Sequence, residues 1–434
     1  MEYMESIQSY GVVPGLSGIR QLCRRLGDPQ DSLKFVHIAG TNGKGSVLAY
    51  VSTILREAGY KTGRYISPAV MDYRERFQID GRMIPKTQLG RCLVPVKEAA
   101  EQMVRDGYPH PTPFEVEKAA AFLYFLNNRC DIVVLETGMG GRLDATNVVR
   151  TAVCTVFSSI SMDHMAMLGS SLEEIAAQKA GIIKERCPVV SCRQKEEAMQ
   201  VIEREAAQHG CTLTVGDVSL AGQVRYGLTK QRFHYGKYKN LEISMAGKYQ
   251  IANAVLSVEV IEALRGAGFP VSENALREGL RKAEWTGRFE IIGKKPLFIV
   301  DGAHNEDGAA KLAESVQFYF SDKKVIFIMG ILADKEYDKI IGLTAPLAEQ
   351  IITVTPHNAR ALDGYELARA VREVHPVVTA ADSLQEAVEM ACLLAEGEKD
   401  AVVVAFGSLS WLGELISIIE HRDMIRRDSH GRSE

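Results

Sequence analysis

The sequence predicts an α/β protein: a larger N-terminal domain of P-loop type on a mostly parallel sheet, followed by a smaller Rossmann-like α/β domain. Three observations predict it. Short apolar runs alternate with helical patterns, the signature of parallel strands joined by helices. The run Phe35-Val-His-Ile38 passes straight into Gly40-Thr-Asn-Gly-Lys-Gly-Ser46, a glycine-rich turn that opens a helix. The 434 residues suffice for two or three domains, and a new alternation begins after residue 296.

Residues 35–38 form an apolar run of strand length, and 47–59 read as the helix after the loop. Further strands are expected at 131–135, 152–157 and 188–190, with helices at 115–127 and 172–180. Residues 194–241 are more polar and irregular, with strand-like pieces around 231–239, and 246–266 read as a loop followed by a helix. Gly293-Lys-Lys-Pro296 marks 290–296 as a linker between a domain of 1–290 and one of 297–434. The second domain has strand patterns at 297–300, 324–329, 350–353 and 401–406, and the charged residues 422–434 are expected to fray. Ligands of such sheets sit beyond the carboxyl ends of the strands, where Gly40–Ser46 and Glu136-Thr137 both fall.

Composition narrows the function. A net charge of −4 argues against a general nucleic-acid binder. The eight cysteines contain no CxxC pair, and Cys187 and Cys192 are too isolated for a metal site, so reduced thiols are expected. No run of about 18 apolar residues predicts a membrane span, and residues 1–26 lack a signal-peptide pattern. The expectation is a cytoplasmic monomer acting on small molecules, without nucleic-acid or membrane partners.

The loop carries the chemistry. Backbone N–H groups of Asn42, Gly43 and Gly45 can face phosphate oxygens, Lys44 adds a mobile cation, and Ser46 can place a hydroxyl on Mg²⁺. The pattern departs from G-x-x-x-x-G-K-[ST]: Gly40 to Lys44 is one residue short, and Gly45 separates lysine from hydroxyl. An ordinary β–α turn is the competing reading. Glu136 ends an apolar strand, where a buried carboxylate needs compensation from a cation or hydrogen bonds; it reads as a Mg²⁺ ligand or as a helix cap. Lys179 reads as a solvated helical charge or, among Ala176, Ala177, Ala180 and Gly181, as a partly buried amine of lowered pKa able to form a carbamate with CO₂. His164 follows a strand and a polar turn and reads as a hydrogen-bonded structural residue or a ligand. Thr112-Pro-Phe-Glu115 has the form of a capping box. Asn253 could cap a helix, and Arg288 could form a surface ion pair.

The longer strings add specificity: Glu136-Thr-Gly-Met-Gly-Gly-Arg-Leu-Asp-Ala-Thr-Asn147, Met162-Asp-His164, Leu172–Lys184, Ala246-Gly-Lys-Tyr-Gln-Ile-Ala-Asn253, Trp285-Thr-Gly-Arg288, Asp301-Gly-Ala-His-Asn305, Gly330-Ile-Leu-Ala-Asp-Lys335 and Phe406-Gly-Ser-Leu409. With Gly40–Ser46, in this order and nearly end to end, they resemble the folylpolyglutamate synthase/dihydrofolate synthase family, the folate branch of the Mur ligases. The resemblance implies ATP-dependent ligation of L-glutamate to dihydropteroate or reduced folate through an acyl phosphate, with ATP, two Mg²⁺ ions and a carbamylated Lys179. It implies that Ser46 and Glu136 hold one ion while His164 and the modified Lys179 serve the second. It implies nucleotide contacts from Asn253, Arg288 and Asp301, and places His304 and Ser408 by the incoming amino acid. It assigns the pterin side to Leu16-Ser-Gly-Ile19, to Thr112, Phe114 and Glu115, and to Arg142, Asp144 and Ala145. Glu75-Arg76 also fits. One departure is Ala69: Ser67-Pro68-Ala69 stands where the family has Ser-Pro-His.

In the expected reaction, Lys44 and the loop hold ATP, the metals offset repulsion as the carboxylate attacks the γ-phosphate, and closure about the linker excludes water from the acyl phosphate. Three other readings compete. A cell-wall Mur ligase would match the folate-branch strings less well. A non-catalytic nucleotide-binding protein would have lost Glu136, His164 or Lys179, all present. A nucleotide kinase fits neither the long second domain nor the altered loop.

Overall fold

The computed structural model describes residues 2–430 except 12 and 399, with residues 423–430 described as helix only; 431–434, part of the segment expected to fray, lie outside the described residues. The chain divides into two compact units. The first comprises Met1–Val224, Arg232–Ser244 and Ile251–Glu284; the second comprises Arg225–Gln231, Met245–Gln250 and Trp285–Glu434.

The first unit is built on an eight-stranded sheet: β1 (Phe35–Ala39), β2 (Thr62–Tyr65), β3 (Phe77–Ile79), β4 (Arg82–Met83), β5 (Ile132–Glu136), β6 (Ala152–Phe157), β7 (Val189–Cys192) and β8 (Leu213–Gly216). Their spatial order is β4-β3-β2-β5-β1-β6-β7-β8. All pairings are parallel except those of β3 with β2 and with β4. β1 and β5 are buried along their whole length, which is why both read as continuous apolar runs rather than alternating ones. One apolar core gathers the helices Ser17–Arg25, Lys86–Arg105 and Pro113–Asn127; another gathers Leu172–Ala180 and Glu196–Gln208.

Three sequence expectations change here. The helix after the loop spans Lys44–Glu57, so it begins three residues before Val47. Its first turn is Lys-Gly-Ser, which has no apolar period to announce it. Residues 196–208 of the supposedly irregular stretch form a regular helix, with Ala198, Val201, Ile202 and Ala206 buried at helical spacing. The residues beyond it supply β9 (Gly222–Arg225), β10 (Gln231–Tyr235) and β11 (Tyr238–Ile243), a small separate sheet.

The third change concerns the linker. Residues 290–294 are β12 (Glu290–Lys294), antiparallel to β13 (Leu297–Asp301), so Lys295 and Pro296 turn a hairpin inside the second unit. With β14 (Lys324–Met329), β15 (Gln350–Val354), β16 (Val378–Ala381) and β17 (Ala401–Phe406), they form a sheet of order β12-β13-β17-β14-β15-β16, parallel apart from β12. The unit's own core includes Phe289, Ile299, Phe327, Val404 and Phe406. The helix from Leu409 runs to His430, through much of the segment expected to fray.

Candidate active site

In the first unit the loop lies at the carboxyl end of β1. Gly40 and Gly43 have φ of +151° and +88°, backbone that side chains rarely tolerate. A Cβ on Gly40 would also collide with Ser158, and one on Gly43 would stand 2.6 Å from Asn253 Oδ1. The loop is pinned to the chain beyond β6: Thr41 and Asn42 N–H donate to Ser159 O at 2.7 and 3.3 Å, and Thr41 Oγ1 donates to Ser161 O at 3.0 Å. Gly43 is the N-cap of the helix Lys44–Glu57 and supplies no side-chain oxygen to the first turn, whose N–H groups have no intrahelical acceptors. That is the local design of an anion site, and Ser46 is buried within it.

Two lysines converge on the loop. Lys44 Nζ donates to Gly40 O and Thr41 O, both at 3.1 Å. Lys179, 4 % exposed, reaches Gly40 O at 2.8 Å. Burial, and after it the charge of Lys44, pushes Lys179 down to about 7, with Asp163 and Asp144 opposing. The small residues around Lys179 thus deliver the environment read from them. Asp163 was read only as part of a string; its carboxylate also lies 3.9 Å from His164 Nε2. His164 itself is 39 % exposed and has φ +51° at the start of a short helix.

Glu136 is 5 % exposed at the end of β5, opposite Ile38 of β1, and one oxygen accepts Ser67 N–H at 3.3 Å. Thr137 N–H donates to Ile38 O at 3.0 Å, so the Glu136 loop and the glycine-rich loop leave adjacent strands together. Ser46 and Glu136 offer the oxygen donors Mg²⁺ prefers. Among the described residues, no three His, Cys, Asp or Glu side chains gather as a ready-made metal site. A second ion at His164 therefore fits the donor set only if Lys179 supplies oxygens, as a carbamate would.

The residues expected on the pterin side meet one another, several in structural roles. Thr112 and Glu115 form the capping box: Glu115 N–H donates to Thr112 Oγ1 at 3.3 Å, and Thr112 N–H to Glu115 Oε2 at 2.8 Å. Gly18 lies so close to Glu115 that any side chain would collide with it, and Gly15 N–H donates to Leu143 O at 3.1 Å. Leu16 precedes the helix beginning at Ser17, while Ile19 is wholly buried in the core. Phe114 packs against Gly138. Asp144 organises its loop, accepting Gly138, Met139 and Thr146 N–H at 3.0, 2.9 and 2.9 Å, and Ala145 is buried beside it. Arg142 turns away, half-exposed, to Glu205 at 3.5 Å.

One feature here escaped the sequence. Lys118 is 0 % exposed; its Nζ donates to Tyr65 Oη at 2.5 Å and lies 3.0 Å from the centroid of the Phe114 ring. Glu117 accepts from Tyr65 Oη at 3.0 Å, Tyr73 Oη at 3.1 Å and Arg76 Nη1 at 2.7 Å. Burial pulls Lys118 well below the usual lysine range, with Glu117 the largest opposing influence. The available signal was a charged pair inside the otherwise apolar run Val116–Phe125.

The second unit holds its own cluster at the carboxyl ends of β13 and β17. Asp301 accepts Tyr249 Oη, Phe289 N–H and Ala303 N–H, each at 2.8 Å. Burial raises its pKa, and Arg288 is the largest opposing influence. These donors make Asp301 an organiser of the turn; Arg288 lies against Gly302, where any side chain would collide with it. His304 Nδ1 donates to Gly302 O at 2.7 Å. Ser408, buried, accepts Ser410 N–H at 3.2 Å just beyond β17, the strand paired with β13.

Comparison with known proteins fits both halves. Residues 38–261 match the Mur ligase middle domain, and 287–409 match the Mur ligase glutamate ligase domain. The dihydrofolate synthase/folylpolyglutamate synthase of Bacillus subtilis is 38% identical over 353 residues, 79% of this chain and 81% of that protein. The structure of Mycobacterium tuberculosis folylpolyglutamate synthase complexed with ADP and AMPPCP superposes with a TM-score of 0.89 at 30% identity, covering 96% of this chain and 98% of that one. Escherichia coli FolC in complex with DHPP and ADP gives a TM-score of 0.83 at 28% identity, covering 97% of each chain.

Proposed function

The chain belongs to the folylpolyglutamate synthase/dihydrofolate synthase family of Mur ligases, and on that premise we propose how its residues perform the ligation. The protein is an ATP-dependent acid–amino-acid ligase that joins L-glutamate to dihydropteroate or reduced folate. The observation that carries the residue assignments is the loop at Gly40–Ser46: a glycine N-cap, two positive-φ glycines and two lysines at one carbonyl, beside a buried carboxylate at the next strand end.

The Lys44 ammonium and the loop N–H groups hold the ATP phosphates, and Asn253 lies against Gly43 to support the nucleotide. Bound Mg²⁺ supplies charge neutralisation between the anionic reactants, with Ser46 and Glu136 as donors for one ion and His164 and modified Lys179 for a second. The neutral Lys179 amine adds to CO₂: the N–C bond forms as one C=O π pair moves to oxygen, and the nitrogen releases a proton to solvent, so a carbamate anion stands where the neutral amine was. The substrate carboxylate attacks the γ-phosphorus, breaking its bond to ADP; the glutamate amine then attacks the acyl phosphate, and phosphate leaves the tetrahedral intermediate. In the second unit Arg288, oriented beside Asp301, serves a phosphate, while His304 and Ser408 serve glutamate.

On the pterin side we assign substrate contact to Phe114 and the Gly138 turn. Thr112, Glu115, Leu16, Ser17, Gly18, Ile19, Asp144 and Ala145 form the frame beneath them, and Arg142 the rim. In this reading the enzyme acts as a monomer. A cytoplasmic setting fits eight cysteines in no disulfide. No helix among the described residues is long and apolar enough to cross a membrane.

ADP release with Mg-ATP, glutamate and bicarbonate, adding dihydropteroate or tetrahydrofolate in parallel, tests the reading. Turnover matched by glutamate incorporation is expected with at least one acceptor. Nucleotide binding without any pterin-dependent turnover overturns it.

A further inference from the structure

β1 is apolar but for one side chain, His37, which is 0 % exposed. It lies on the same face of the strand as Phe35, whose apolar core also takes in Ala145 and Val148. An imidazole buried in such a place is costly unless its polar atoms find hydrogen bonds. Its Nε2 lies 2.9 Å from Thr146 Oγ1, and Nδ1 has no hydrogen-bond partner among the described residues. Proton counting fixes the direction of the one bond. The Thr146 hydroxyl carries a single proton and donates it to Asp144 Oδ1 at 2.6 Å. Its oxygen can then only accept, so His37 donates through Nε2–H. Burial, and after it the charge of Lys184, holds the imidazole well below its usual pKa, which agrees with a neutral ring.

The bond continues into a chain. Asp144 Oδ1 also accepts Thr146 N–H at 2.9 Å, and Oδ2 accepts Gly138 and Met139 N–H at 3.0 and 2.9 Å. A carboxylate with all these donors holds its loop in shape rather than serving as a base. Imidazole, hydroxyl and carboxylate thus reach in order from the middle of β1 to the turn that follows Glu136 and Thr137. His37 stands in register with Leu135 of β5, one residue before Glu136. The strand that launches the glycine-rich loop therefore also aims the turn against which Phe114 packs.

The glycine-rich loop does not hang on this chain. Its own pins are Ser159 and Ser161, beyond β6. Loss of the imidazole is therefore felt on the acceptor side of the site and not at the nucleotide. We propose that His37 is a positioning residue for the acceptor half of the ligation: through Thr146 and Asp144 it fixes the Gly138–Met139 turn on which the pterin-bearing substrate rests. The inference rests on the ligase reading and on its assignment of that turn to substrate contact.

The test compares full-length H37L, which loses the donor, with H37Q, whose side-chain amide N–H stands in for Nε2–H. Steady-state kinetics with whichever of dihydropteroate and tetrahydrofolate turns over is one readout. Hydrogen–deuterium exchange of the segment 137–147, which needs no turnover, is the other. H37L is expected to raise the acceptor KM about ten-fold, with affinity for a non-hydrolysable ATP analogue near wild type. It should also speed exchange of the segment, and H37Q should recover most of both. T146V and T146S repeat the comparison at the hydroxyl should H37L fold poorly, since valine breaks the chain and serine restores it. A lower melting temperature with wild-type acceptor KM marks His37 as a core residue only and overturns the proposal, as do equal losses for acceptor and nucleotide. Unchanged exchange in both H37L and T146V overturns the relay itself. No pterin-dependent turnover in the wild type, with exchange still faster in H37L, overturns the ligase reading and with it the acceptor role, while the hydrogen-bonded chain stands.

Discussion

Lys44 and Lys179 donate to the same atom: the carbonyl oxygen of Gly40 receives Lys44 Nζ at 3.1 Å and Lys179 Nζ at 2.8 Å. Two ammonium groups on one acceptor repel each other, and only one of them is deeply buried. The cheaper way to relieve that repulsion is for Lys179 to give up its proton, which agrees with its downward shift to about 7. The loop therefore keeps Lys44 as its mobile cation and holds beside it an amine with nucleophilic character near neutral pH.

The first prediction follows from that amine. Protein equilibrated with ¹³C-bicarbonate should show a carbamate carbon resonance that K179M lacks, and ligase activity in CO₂-stripped buffer should fall several-fold and recover on adding bicarbonate. Full activity in protein whose Lys179 is shown by intact mass to be unmodified would sink the carbamate.

The same shift has a pH signature in CO₂-free buffer. Between about 7 and the ordinary lysine value of about 10.4, the unfolded chain binds the Lys179 proton and the folded chain does not, so stability rises with pH across that window. K179M removes this slope. The wild-type-minus-variant unfolding free energy should climb by on the order of a few kcal/mol from pH 7 to pH 10. Lys184, pushed down to about 8 by burial, titrates with the same sign but is present in both proteins and cancels.

Loop geometry gives a third prediction. Gly43→Ala must carry a Cβ at φ +88° and 2.6 Å from Asn253 Oδ1, so ATP affinity should fall at least about ten-fold with little change in melting temperature. Lys44→Ala should abolish ligation by removing the phosphate cation. Glu136→Gln should also abolish ligation while leaving metal-free nucleotide binding near wild type. Equilibrium binding of a fluorescent ATP analogue with and without Mg²⁺ separates these effects, and near-full ligation in either variant refutes its role.

Much of this was legible in the sequence for definite reasons. β1 and β5 are covered on both faces, so they stand out as unbroken apolar runs, and the loop between strand and helix carries glycines that only backbone demands explain. The helix Glu196–Gln208 was obscured because its glutamates and glutamines dominate the composition while its buried stripe is four narrow residues. Gly293-Lys-Lys-Pro296 has the chemistry of a turn, and it is one; a hairpin and a linker share that signal until β12 is seen paired to β13. Lys118 was invisible because a helical lysine is solvated by default, and only the packing of Tyr65 and Phe114 around it reverses that.

The second unit offers a fourth prediction. Asp301 collects three donors from Tyr249, Phe289 and Ala303, so Asp301→Ala should leave two buried N–H groups without their acceptor. A loss of about 2–4 kcal/mol is expected, at roughly 1–3 kcal/mol per orphaned donor with partial relaxation. Tyr249→Phe removes one bond and keeps the rest, so it should cost about 1 kcal/mol. Equal losses in the two variants would show that Asp301 is not the organiser of this turn.

The buried network around Glu117 gives the last prediction, an asymmetry between neighbours in sequence. Glu117→Ala strands Arg76, whose carboxylate partner it is, and removes the acceptor of Tyr65 and Tyr73. Breaking a buried pair from that side should cost about 3–5 kcal/mol. Lys118→Met is a different perturbation. It removes a buried ammonium whose own desolvation is unfavourable, fills the same channel between Phe114 and Tyr65, and leaves the Tyr65 hydroxyl still donating to Glu117. Replacing a buried charge by an apolar side chain of similar length is often neutral or stabilising, so Lys118→Met should stay within about 1 kcal/mol of wild type or exceed it. Urea unfolding of both variants and of the double variant decides the matter. If Lys118→Met is as damaging as Glu117→Ala, the ammonium is itself a required partner of the carboxylate, and the network is held by the charge pair rather than by Arg76 and the two tyrosines.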